Sequence, residues 1–178
     1  MNKAKTESKQ DVLNMIDAEE ALQILKILCK EDEDLAKRIE DIFIQRAKEV
    51  DVESIAGEIL SDLEFLDVED LWDRSGSSRH GYVEPIDEAY IMITEVLKPH
   101  IDNMKRYHAM GMFHEEMIYC MGIISGLKEF DEVSDTEFKD WASDVSTSEI
   151  DDILNDWKKS CKDPKLKKAM DKFIAKGE

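Results

Sequence analysis

Apolar residues recur every three or four positions along most of this chain, most clearly between residues 84 and 130. In the first half of that stretch Ile86, Ala89, Tyr90, Ile93, Leu97, Ile101, Met104 and Tyr107 share one stripe of a helix. In the second half Met112, Phe113, Met117, Ile118, Cys120, Met121, Ile123, Ile124 and Leu127 leave little polar face. A helix that is apolar on most sides has to be covered on most sides. The pattern therefore predicts two long helices meeting at Gly111 and lying at the centre of a packed helical array. Gly122 and Gly126, four positions apart, give the second helix a strip of small residues where another helix crosses closely.

The flanks read as shorter helices. Asp17-Ala-Glu-Glu is a capping-box pattern that opens a helix with Ala21, Ile24, Leu25 and Leu28 in its stripe. Leu22 and Ile27 widen that apolar face. The acidic run Glu31 to Asp34 makes a turn and complements the positive end of a second helix through Leu35, Ile39, Ile42, Phe43 and Ala47. Asp51 caps a third helix carrying Ile55, Ile59, Leu60, Leu63 and Leu66, in which Gly57 marks a close helix contact. A short turn over 67–73 precedes a small-residue loop at 74–83. Pro85 suits a first helical turn, and Pro99 predicts a kink or restart. Ser134 caps a short helix with Phe138 and Trp141; Thr147 or Ser148 starts the next, and a basic C-terminal helix occupies 158–178. Residues 1–10 are polar and read as a disordered tail, leaving one α-helical domain over 11–178. The fold expected is all-α: stacked antiparallel hairpins as an α/α-superhelix of TPR or HEAT type, or an irregular helical bundle.

Composition sharpens this. Few Gly and Pro, with abundant Leu, Ile, Glu and Lys, favour helices, and 42% apolar residues suffice for a core. The net charge of −18 argues against direct nucleic-acid binding and against anionic membrane surfaces. It suits a solvated surface, a basic partner or mimicry of a nucleic acid. The charge is uneven: eight lysines against two aspartates over 158–176, and ten acids against one lysine over 131–156. The basic end either docks on the acidic segment or serves as a tail for an anionic partner. Cys29, Cys120 and Cys161 form no CxxC pair, which fits a reducing, cytoplasmic setting. No apolar leader and no membrane span are evident.

Chemistry is sparse. His100, His108 and His114 suggest a metal-dependent helical enzyme, but gaps of eight and six miss the three-or-four spacing of helical ligands. No nucleophile elbow, phosphate loop or dinucleotide fingerprint occurs. No cofactor is expected. The candidate contacts lie in two turns. In the first, Arg74, Arg79, His80 and Tyr82 offer donors and a ring for a phosphate or acidic peptide, or else form a connector whose arginines pair with nearby acids. In the second, Met110, Met112, Phe113 and His114 surround Gly111, and their methionines suit either an adaptable groove or core gaps.

The run Asp73-Arg-Ser-Gly-Ser-Ser-Arg-His-Gly-Tyr-Val-Glu-Pro85, followed after a helix by Met110-Gly-Met-Phe-His-Glu-Glu-Met-Ile-Tyr-Cys120, is similar to helical segments following the zinc finger in SWIM-type proteins of bacteria and archaea. The resemblance covers roughly residues 60 to 145 and implies an αα-superhelical interaction region. The finger's Cys-x-Cys and Cys-x-His pairs are absent, so zinc and DNA binding do not carry over. The function expected is a non-enzymatic protein-interaction or scaffold module of prokaryotic type. Its alternatives are the metal enzyme and an acidic nucleic-acid mimic that binds a basic protein. Charge reversal of Arg74 and Arg79 is expected to weaken partner capture without lowering the melting temperature.

Overall fold

A computed structural model describes residues 14–78, 81–142 and 144–176; the expected tail over 1–10 lies outside them. The fold is all-α, with eight α-helices and one small two-stranded ribbon among the described residues. The chain divides after Glu49 into two compact units.

The first unit is a helix pair, α1 (Ala18–Glu31) and α2 (Glu33–Ala47), joined by Asp32 alone. The capping box forms as the sequence predicts. The Glu20 amide donates to the Asp17 carboxylate at 2.8 Å, and the Asp17 amide donates back to Glu20 at 3.2 Å. Asp32 serves both helices: its amide closes α1 on the Leu28 carbonyl, and its carboxylate accepts from the Leu35 amide at 3.0 Å. In these two helices only Ala47 is buried.

The second unit begins with α3 (Val52–Glu64), capped by Asp51, and α4 (Val68–Arg74), capped by Asp67. Strands β1 (Gly76–Ser78) and β2 (Gly81–Val83) pair antiparallel with Ser77 opposite Tyr82. The segment expected as a plain loop is thus partly a ribbon, too short to show alternation in the sequence. Helix α5 (Pro85–Ala109) turns at Gly111, whose φ of 72° is unstrained only without a Cβ, into α6 (Phe113–Val133). A 3₁₀ turn (Glu137–Trp141), α7 (Val145–Ser160) and α8 (Pro164–Ile174) complete the chain.

Helix α6 is central, packing against α3, α5, α7 and α8. Its crossing with α3 is the closest in the unit. A Cβ on Gly122 would lie 2.6 Å from the Ile55 Cβ, and one on Gly126 would lie 2.9 Å from the Ala56 carbonyl oxygen. The glycine strip therefore does what its spacing predicted. Ile59, Leu63, Ile93, Leu97, Ile123, Ile124 and Leu127 are fully buried around it. Each of these contributes about 1.5–3 kcal/mol of hydrophobic stabilisation. Because α3 packs chiefly across α6, far from it in sequence, the order is that of an irregular bundle and not of nearest-neighbour repeats.

Several local expectations are corrected. Gly57 has no neighbour that a Cβ would meet, so it marks no close contact. Helix α5 runs through Pro99 without restarting, because an embedded helix loses one amide donor there while packing on both sides of it holds. Ile86 and Tyr90 lie exposed at the start of the stripe, while Met92 and His100 are buried. Ser134 ends α6 and does not start a helix, and α7 begins at Val145, earlier than Thr147. The basic end is not one helix: Lys158 and Lys159 finish α7, and Pro164 starts α8. That last helix docks, burying Met170 and pairing Lys158 with Asp171 at 3.3 Å.

Candidate interaction surface

The apolar positions of α1 cover an arc of about 220° at 100° per residue, from Ile27 through Ile24, Leu28 and Leu25 to Leu22. One neighbouring helix covers roughly 100° of such an arc. The remainder lies open: Leu22 is 50% exposed, Ile27 54% and Ile42 on α2 47%. Ile24, Leu25 and Leu28 are also exposed. A helix pair of this length has too little interior to hold itself together in water. The signal was present in the sequence as the width of the α1 stripe, but width alone does not say whether the cover lies in the same chain.

This unit also differs in charge. Up to Glu49 the chain carries twelve acidic and nine basic residues, a net −3; the remainder, thirty against fifteen, carries −15.

The two turns singled out in the sequence do not form one site. They lie at opposite ends of α5, whose 25 residues extend about 37 Å. Arg74 is held within the fold. Its Nε lies 2.7 Å from Glu88 Oε1, and its terminal nitrogens bridge both Glu95 oxygens at 3.0 and 3.2 Å. Those contacts, the Glu95 hydrogen bonds foremost, raise the guanidinium pKa still further. This is the connector role in which arginine pairs with nearby acids. Arg79 and His80 lie outside the described residues, and Tyr82 is exposed on β2. At the other end Met110 caps α5 and is partly exposed, Met112 is half-buried and His114 is exposed. The Phe113 ring stands edge-on to His108 at 5.3 Å.

The histidines separate in the same way. His100 is buried, with Nε2 2.9 Å from Asp62 Oδ2 and Nδ1 3.5 Å from the Tyr119 hydroxyl, which accepts from Asn103 at 3.3 Å. His108 Nδ1 lies 2.9 Å from the buried Glu116 carboxylate. The histidines thus have different partners, and among the described residues no three His, Cys, Asp or Glu side chains gather as a metal site. The pairings of His100 with Asp62 and of His108 with Glu116 are not legible in the sequence, because neither acid lies at helical spacing from its histidine. They are structural ties between α3, α5 and α6.

Nor does a nucleophile emerge. Burial, with Glu116 nearby, pushes the Cys120 thiol up to about 12, and burial raises the Tyr119 phenol as well. Both shifts oppose reactivity. Two surface clefts of 430 and 630 Å³ flank Lys128 on α6, lined by mixed residues such as Ile150 and Leu154 in one and Glu129 and Phe173 in the other. Among the described residues no helix is long and apolar enough to cross a membrane. Comparison with protein-family models, curated proteins and solved structures finds no match.

Proposed function

We propose that this protein is a non-enzymatic, cytoplasmic interaction module that works through the apolar faces of α1 and α2. The observation that carries the reading is a helix pair with a wide aliphatic face and almost no buried residue, attached to a second unit with a complete core. Apolar surface of this kind gains free energy by being covered, and the coefficient is about 25 cal/mol per Å². The dispersed histidines and unreactive thiol favour binding over catalysis. The resemblance to helical regions of SWIM-type proteins covers roughly residues 60 to 145, so it favours an interaction module in general and not the α1–α2 faces in particular.

The test compares the wild type with the double variant Leu25→Glu/Ile42→Glu. Wild-type protein is expected to retain a specific partner at moderate salt and the variant to lose it, while the melting temperature of the second unit is unchanged. Equal retention by both overturns the assignment. Salt-labile capture of basic proteins alone would instead favour the acidic mimic, because charge pairing is screened and apolar contact is not.

A further inference from the structure

We infer that the occupant of the α1–α2 face is a second copy of this chain, the two helix pairs closing into a four-helix bundle. The inference rests on the reading of that face as an interaction surface and adds the identity of the partner.

Three observations carry it. The first is shape. Helices of 14 and 15 residues, about 21 and 22 Å long, match one another, so an identical pair laid on the open seam is matched along its whole length. In that arrangement every helix gains a second neighbour, which is what an apolar arc wider than 180° requires. The second is area. Leu22, Ile24, Leu25, Ile27, Leu28 and Ile42 are 38–54% exposed. They leave on the order of 500 Å² uncovered per copy, hence about 1,000 Å² for two; with the flanking lysine and glutamate stems this reaches the lower edge of stable interfaces, near 1,200 Å². The third is charge. Two copies meeting through the acid-rich second unit would press −15 against −15, whereas the first unit carries only −3 with both signs interspersed. Lys26, Lys30, Lys37, Arg38 and Arg46 stand among the acids there, so contact brings opposite charges together as well as like ones.

The experiment is sedimentation velocity on the full chain from about 1 to 200 μM at two salt concentrations, with far-UV circular dichroism on the same samples. A dimer of twice 20.6 kDa is expected, dissociating in the micromolar range and insensitive to salt. Helicity should fall on dilution, since α1 and α2 have no core alone. Leu25→Glu/Ile42→Glu is expected to sediment as a monomer at every concentration. Phe65→Glu, which alters an exposed ring of the second unit, should leave the dimer unchanged. A wild type that stays monomeric throughout overturns the second copy as occupant, as does a dimer that survives the double variant. The fate of the broader reading is then read separately. If the monomeric protein still captures a partner that the double variant loses, the face binds a different protein. If capture is unaffected, both readings fall.

Discussion

The helix pair α1–α2 and the crossing of α3 with α6 are built from similar material and end differently. Both consist of helices rich in Leu and Ile, with an aspartate capping the first helix of each. At the crossing Ile59, Leu63, Ile123 and Ile124 are completely buried, whereas in the first unit Leu22, Ile27 and Ile42 are about half exposed. The difference lies in what lets helices approach and in how many neighbours each obtains. Gly122 and Gly126 allow α3 to sit directly on the α6 backbone, and α5, α7 and α8 cover what remains. Neither α1 nor α2 contains a glycine. Hydrophobic periodicity thus states which side of a helix seeks cover; the number of available neighbours decides whether it finds it.

That contrast can be broken most forcefully by truncation. Leu63→Ala is expected to cost about 3–4 kcal/mol through transfer and cavity terms. Ile27→Ala in a dilute sample should cost less than about 1 kcal/mol, because the side chain is already 54% exposed. Denaturant unfolding at low protein concentration compares the two directly, and equal costs would contradict the bare face. Next, Gly126→Val should destabilise by about 2–3 kcal/mol, because the new side chain meets the Ala56 carbonyl and backbone cannot step aside. The same substitution at Gly57, where nothing lies within reach, should remain well under that.

Smaller effects sharpen the picture within the second unit. Arg74→Glu is expected to lower stability by about 1–2 kcal/mol, since it leaves the nearly buried Glu88 facing another acid. A shift of some 2–6 °C in melting temperature would register it. This reverses the sequence-based expectation that charge reversal at this position spares stability. Alkylation of the native protein should label Cys29 first, with Cys120 protected until unfolding by burial and its raised pKa; equal labelling followed by mass spectrometry would refute it. The smallest effect concerns Asp131, whose carboxyl is held above its usual range by burial. The penalty on its ionised form is present at neutral pH and relieved as pH falls through the raised value. Because solvent screens this partly exposed carboxyl, Asp131→Asn should gain only about a few tenths of a kcal/mol at pH 7, on the order of an exposed pair, and nothing at pH 3.

Much of the fold was legible because it depends on local rules. The Asp17–Glu20 box, the Asp51 cap, the turn at Gly111 and the glycine strip of α6 each follow from neighbours a few residues away. What escaped depends on distant partners. Gly57 resembles Gly122 in sequence, yet only the latter faces a crossing helix. His100 finds Asp62, 38 positions earlier, and Arg74 finds Glu95, 21 later. The sequence directs attention to donors and methionines in the turns, and it shows the width of the α1 stripe without showing what covers it. A stripe and a binding face are the same pattern until the neighbours are known.

The α3–α6 crossing also sets the tempo of assembly. Ile55 meets Gly122, and Ile59 meets Gly126, each pair 67 positions apart in the chain. The α5–α6 hairpin needs only local closure and can form in microseconds. Bringing α3 onto α6 closes a loop whose entropy costs about 4 kcal/mol before any of its burial is gained. This joint, like the Trp72–Trp141 contact 69 positions apart, therefore closes more slowly than the local hairpin, and substitutions at Gly122 or Gly126 should slow folding.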